Sequence, residues 1–126
     1  MPTPQILVAD DDPIFTRLIT ASLRTKGWTV IAAVDAMQAL MYAIRSQPDA
    51  ILLDINMPGG TGIKTLQQLK ASSKTVHIPV VVMTGLADPT LAATVASLGA
   101  DGFVPKPIDL DAMHRTLQTL MGVSAG

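Results

Sequence analysis

Asp10, Asp11 and Asp12 follow one another directly after the apolar run Ile6–Ala9. Two such charges at ~4 Å repel by roughly 4 kcal/mol when the effective dielectric is about 20. A chain that keeps three of them in a row leaves them in water or brings a cation to them. Other polar residues also close apolar runs: Asp54 ends LLD, Thr84 ends VVMT, and Lys106-Pro107 follows GFVP. Adjacent carboxylates suit a hard divalent cation, Mg²⁺ or Mn²⁺, which uses few protein ligands and keeps several waters. A carboxylate beside such a cation, with an ammonium and a hydroxyl at hand, can attack a phosphoryl group. The positive charges offset charge on the equatorial oxygens, and the hydroxyl hydrogen-bonds to one of them. The product is an aspartyl phosphate, a covalent species.

This chemistry needs distant residues brought to one place. The apolar runs Ile6–Ala9, Thr29–Ala33, Ala50–Leu53 and Val80–Met83, and the shorter Gly102–Val104, are strand candidates. Near-continuous apolar strands suit a sheet covered on both faces. Amphipathic stretches lie between them: Pro13–Lys26, Ala36–Ser46, Thr61–Ser72, a stretch opened by Asp88-Pro89 and closed at Gly99, and one from Asp109 or Leu110 to Met121. Asp12-Pro13 and Asp88-Pro89 read as a cap followed by proline in the first turn. Gly27 reads as the stop of the first helix, and Gln47-Pro48 as the end of the second. In the second helix Met37, Leu40, Met41 and Ile44 recur at helical spacing, as do Ile63, Leu66 and Leu69 in the third. The methionines read as core filler, and Gly122–Gly126 as a frayed tail. The pattern is strand–helix five times over, an α/β fold. Right-handed crossovers turn it into a doubly wound five-stranded parallel sheet with helices on both faces. In open parallel sheets ligands sit beyond the carboxyl ends of the strands. Four of the five strands deliver a polar group there: Asp10 and Asp11, Asp54, Thr84 and Lys106. The second strand is followed only by Asp35, which reads as a helix cap.

Composition narrows the class. A chain of 126 residues implies one domain, here 1–126 with an ordered core of about 4–121. There is no cysteine, so disulfides and thiolate metal sites are excluded. A net charge of -1 argues against a strongly basic nucleic-acid surface. MPTPQ has neither the basic nor the apolar region of a signal peptide, and no apolar run approaches the ~20 residues of a membrane helix. A soluble cytoplasmic domain is expected.

At these intervals and in this order the motifs resemble the response-regulator receiver domain of two-component signalling, over essentially the whole chain. The resemblance implies a flavodoxin-like strand order 2-1-3-4-5. It implies that Asp54 is the phosphoacceptor and that Asp10, Asp11, Asp54 and the backbone carbonyl of Asn56 hold Mg²⁺, Asp11 directly and Asp10 through water. Asp12 then caps the first helix. Thr84 and Lys106 would bind the phosphoryl group, Phe103 would be the aromatic whose rotamer follows Thr84, and the Lys106-Pro107 bond would be cis. Asn56 and Leu86 hold positions that tune dephosphorylation. An apolar Leu86 neither orients water nor donates to the phosphoryl group, so a persistent phosphorylated form is expected. The chain departs from the family pattern at Thr61, where an acid is frequent, at Gly85, where alanine is common, and at Phe103, which lacks a hydroxyl.

The expected function is a phosphorylation-operated switch charged by a histidine kinase or phosphotransfer protein. It would act through the face of the fourth helix, fifth strand and fifth helix on a partner or output domain, without direct nucleic-acid or membrane contact and without being an enzyme in the ordinary sense. Pro89–Ala100 carries no charged residue, which suits a contact surface for a partner or for a second copy in a homodimer. No output module is seen, so a stand-alone regulator and a receiver cut from a longer chain both fit. Two other classes are an unphosphorylated pseudo-receiver, against which the full acid–Thr–Lys set argues, and a Mg²⁺-dependent phosphohydrolase, which needs an acid/base group that Asp12 does not supply. His77 and His114 read as surface residues. Gly59–Thr65, GGTGIKT, looks like a phosphate-binding loop, but Ile63 separates Gly62 from Lys64, and a Walker motif requires them adjacent. Its glycines are expected to serve the turn after the third strand.

Overall fold

The computed structural model describes residues 3–57, 62–85 and 89–123. Strands β1 (Gln5–Ala9), β2 (Thr29–Ala33), β3 (Ala50–Asp54), β4 (Val80–Thr84) and β5 (Gly102–Pro105) alternate with helices α1 (Pro13–Arg24), α2 (Ala36–Ser46), α3 (Gly62–Ala71), α4 (Pro89–Ser97) and α5 (Leu110–Met121). The strands form one sheet in the order β2-β1-β3-β4-β5, and every pairing in it is parallel.

Strand alternation divides the core in two. Leu7, Ala9, Ile51, Leu53, Val80 and Val82 face Ala39 and Ala43 of α2, Leu66 and Leu69 of α3, and Val95 of α4. Ile6, Val8, Leu52, Val81, Met83 and Val104 face Ile19 and Leu23 of α1, Met113 and Leu117 of α5, and Trp28. Because β1, β3 and β4 are covered on both sides, their sequences run apolar without alternation.

Caps set the helix starts. Asp12 Oδ1 accepts from the backbone N–H groups of Ile14 and Phe15, with Pro13 in the first turn. Asp35 accepts from Gln38 N–H, and Asp109 from Ala112 N–H. These satisfy donors that have no partner inside the helix. The expected helix start at Thr61 and the expected cap at Asp88 lie outside the described residues.

Several expectations are corrected. Helix α1 ends at Arg24 rather than Lys26; a turn through Thr25 and Lys26 follows, with Gly27 at φ 80°. Helix α2 buries only part of the expected stripe of Met37, Leu40, Met41 and Ile44: Leu40 is half-buried against the core and Met41 is half-buried. Met37 is 78% exposed and Ile44 is exposed too, while Ala36, Ala39 and Ala43 face the sheet. The buried face is rotated roughly a third of a turn from the centre of the expected one, so Met37 is not core filler. His114 is not on the surface: it is 8% exposed, its Nε2 lies 2.9 Å from Ser22 Oγ, and Trp28 meets it edge-on. His77 is exposed, as expected. Gly122, expected to fray, caps α5 at φ 69°, with Val123 N–H bonded to the Gln118 carbonyl at 3.1 Å; the rest of the expected tail, 124–126, lies outside the described residues.

Candidate phosphoacceptor site

The parallel register brings the strand ends level. Ala9 pairs with Leu53, so Asp10 and Asp54 emerge side by side. Asp54 pairs with Met83, and Thr84 with Pro105, which puts Thr84 and Lys106 at the same edge. Alternation then sorts them by face. Asp10, Asp54 and Lys106 follow Val8, Leu52 and Val104 by two residues and lean toward α1 and α5. Thr84 follows Val82 and leans the other way, as does Phe103, which pairs with Val82. Thr84 and Phe103 are thus diagonal neighbours on one face of the β4–β5 pair.

The acids converge. One carboxylate oxygen from each of Asp10, Asp11 and Asp54 lies within 4.8 Å of the others. Asp10 is 1% and Asp54 6% exposed, while Asp11 is open to solvent. Asp10 Oδ1 accepts from Asp12 N–H at 2.9 Å, and Asp54 Oδ1 accepts from Asn56 N–H at 3.1 Å. Lys106 Nζ donates to Asp10 Oδ2 at 2.8 Å and stands 3.6 Å from Asp54 Oδ2. Its backbone N–H is tied to the Thr84 carbonyl at 2.7 Å, and the Lys106–Pro107 bond is cis. Burial pushes the Asp54 carboxyl above its ordinary range; the charges of Asp10 and Asp11 push the same way, and the Asn56 N–H and Lys106 oppose them.

Three carboxylates against one ammonium leave two formal negative charges in a partly buried cleft. That donor set is all oxygen and pairs an exposed acid with two buried ones. It fits a hard divalent cation that keeps part of its water shell.

One residue was invisible to the sequence reading, Phe15, and the expected role of one glycine, Gly62, takes a specific form. Phe15, on the first turn of α1, lies under Lys106, with Nζ 4.2 Å from the ring centroid; no spacing rule links residues 15 and 106. Gly62 packs against the backbone after β3: its N–H donates to the Ile55 carbonyl at 2.8 Å, and a Cβ there would sit 2.3 Å from Ile55 Cα. This close approach accounts for the last glycine of the loop-like GGTG stretch. Gly59, Gly60 and Leu86 lie outside the described residues.

Comparison with known proteins identifies the family. A family model described as the response regulator receiver domain matches residues 6–118. The DNA-binding dual master transcriptional regulator RpaA of Synechocystis sp. is 33% identical over 94% of this chain and 49% of its own length. Response regulator PleD of Caulobacter vibrioides is 41% identical over 83% of this chain and 23% of its own length. The chain thus spans about half or less of the relatives it matches. The expectation of no nucleic-acid contact finds no support among them, since RpaA and MtrA of Mycolicibacterium smegmatis are named as DNA-binding. Among solved structures, the receiver domain of sensor histidine kinase PA1611 from Pseudomonas aeruginosa PAO1 superposes with a TM-score of 0.88 at 27% identity, covering 96% of this chain and 99% of that one; it has a magnesium ion coordinated in the active site cleft. Chemotaxis response regulator CheY4 of Vibrio cholerae superposes with a TM-score of 0.87 at 26% identity, covering 94% and 99%. No helix among the described residues is long and apolar enough to cross a membrane. With the family model matched from β1 into α5 and the fold shared, this chain belongs to the response regulator receiver domain family of two-component signalling.

Proposed function

We propose that Asp54 accepts a phosphoryl group from a histidine kinase or phosphotransfer protein, and that the resulting aspartyl phosphate biases the surface formed by α4, β5 and α5. The supporting observation is the meeting of Lys106 with Asp10 and Asp54, at 2.8 Å and 3.6 Å, beside the exposed Asp11. An oxygen of Asp54 attacks phosphorus. The new O–P bond forms as the bond to the donor breaks, and the leaving group, a histidine nitrogen or a small acyl oxygen, keeps the electron pair. Burial that raises the Asp54 carboxyl makes its oxygen the more basic nucleophile. Lys106 then has a phosphoryl oxygen to neutralise. Thr84, fully buried at the end of β4, offers its hydroxyl from the opposite face. Asp10, Asp11, Asp54 and the Asn56 carbonyl would hold Mg²⁺ or Mn²⁺, which when bound supplies charge neutralisation and orientation for the transferring group.

The new charge of about -1.5 to -2 at Asp54 draws Thr84 toward it. The diagonal placement of Phe103 puts that ring on the same face as the vacated space. This is a biased equilibrium between two arrangements of one fold. The uncharged α4, with Thr94 and Ala96 exposed, is the surface offered to an output domain, a partner protein or a second copy. The domain promotes its own phosphorylation and dephosphorylation without turning over a separate substrate, and cytoplasmic placement follows from dependence on a kinase.

Mass spectrometry after incubation with acetyl phosphate and Mg²⁺ tests this. One phosphoryl group is expected on the wild type and none on Asp54→Asn. An unmodified wild type would leave the pseudo-receiver reading in its place.

A further inference from the structure

Phe15 sits in the first turn of α1, where its N–H is held by the Asp12 cap at 3.3 Å. Its ring is half-buried and packs against the core beneath α1 and α5, so it has a backing that limits its rotation. The Lys106 ammonium lies 4.2 Å from the ring centroid, well within cation–π range. The same ammonium meets Asp10 at 2.8 Å and Asp54 at 3.6 Å. One side of the cation is therefore covered by a ring that accepts no ordinary hydrogen bond, while the cation donates to Asp10 and stands close to Asp54. A flexible lysine on a solvated edge samples many rotamers; a ring under the ammonium removes those that point to water. Lys106 Nζ already stands 3.6 Å from Asp54 Oδ2, so its move from Asp10 toward a phosphoryl oxygen on Asp54 is short.

We propose that Phe15 is a positioning residue, which holds the Lys106 ammonium against the Asp10–Asp54 carboxylates and thereby speeds phosphoryl capture by Asp54. The inference rests on the phosphoacceptor reading and goes beyond it by giving α1 an aromatic part in the reaction. The contact itself is measured by NMR on the metal-free protein. The ε-protons of Lys106 show an upfield ring-current shift in wild type and in Phe15→Tyr, and lose it in Phe15→Leu. The consequence is measured with acetyl phosphate and Mg²⁺. Phe15→Leu phosphorylates about two- to five-fold more slowly at saturating donor, the span that a cation–π contact of this exposure supports. The half-saturating donor and Mg²⁺ concentrations do not change, and Phe15→Tyr restores the rate. In a Lys106→Met background Phe15→Leu has no further effect, which a merely structural role would not produce. A Phe15→Leu rate equal to wild type, a Phe15→Tyr rate as slow as Phe15→Leu, or an equal slowing in the Lys106→Met background would overturn the inference while leaving Asp54 as acceptor. A wild type that takes up no phosphoryl group would overturn the phosphoacceptor reading and this inference together, and the ring-current shift would then report the contact alone.

Discussion

Lys106 bonds to Asp10, not to the carboxylate it is proposed to serve. The 2.8 Å contact joins side chains 96 residues apart, and Asp54 stands farther off, at 3.6 Å. Asp10 is almost fully buried, so its charge is balanced by this lysine and by one backbone N–H from Asp12. It is both a candidate participant in metal binding and the resting place of the cation. Asp10→Asn therefore weakens Mg²⁺ binding, by about 10- to 100-fold if Asp10 acts through water. Calorimetric titration of Mg²⁺ into wild type and variant gives the ratio.

Metal and stability are linked at Asp54. A carboxyl whose folded pKa lies above its unfolded one is costly to ionise in the native state. That cost is present at neutral pH and disappears as pH falls through the raised value. Asp54→Asn should therefore raise the melting temperature of the metal-free protein at pH 7. Mg²⁺ should raise the wild-type melting temperature and do so far less in Asp54→Asn, because a ligand stabilises only the state that binds it. Thermal melts with and without Mg²⁺ check both.

His114 makes the α1–α5 contact sensitive to pH. Burial holds its imidazole below the usual value, with the Lys26 charge acting the same way and Asp111 and the Ser22 bond opposing. The unfolded chain then takes up protons first, near pH ~6.5. Stability is full above that pH and declines as pH falls from it toward the lowered folded value. Denaturant midpoints between about pH 7 and pH 5 should fall more steeply for wild type than for His114→Gln, whose side chain does not titrate.

Two glycines predict opposite outcomes. A Cβ on Gly62 would lie 2.3 Å from Ile55 Cα and 2.5 Å from the Ile55 carbonyl oxygen, whereas one on Gly85 would meet nothing within 4 Å. Backbone cannot yield as a side chain end does, so Gly62→Ala costs at least the ~1–3 kcal/mol typical of overpacking. Gly85→Ala should leave stability within experimental scatter. Urea unfolding of both variants makes the comparison.

Helix α4 offers a test of the output surface. Thr94 is exposed, and its hydroxyl donates to the Thr90 carbonyl at 2.8 Å. Thr94→Glu should leave acetyl phosphate labelling of Asp54 intact and lower binding to a partner or to a second copy. Sedimentation of the phosphorylated protein before and after substitution reads the self-association arm.

The sequence alone determined the order of the elements and which polar residues share one sheet edge. Strands buried on both faces must be apolar throughout, so β1, β3 and β4 stood out, and an acid, a hydroxyl or an ammonium at each strand end had one sheet edge to occupy. The caps at Asp12 and Asp35 were legible because they are local, within three residues of the N–H groups they satisfy; at the last helix the start was legible to within a residue, and the structure gives the cap to Asp109. What needed neighbours was not legible. Periodicity says that α2 has an apolar side but not which apolar side is packed. Ala39 and Ala43 let the helix approach the sheet closely, and that advantage exists only once the sheet is there. His114 could be placed inside only by Ser22 and Trp28 arriving from another helix and the turn after it. The pairing of Lys106 with Asp10, and its seat on Phe15, are likewise decided by how α1 and the end of β5 meet across the strand ends. Distances between side chains so far apart in the chain exist only in the folded molecule.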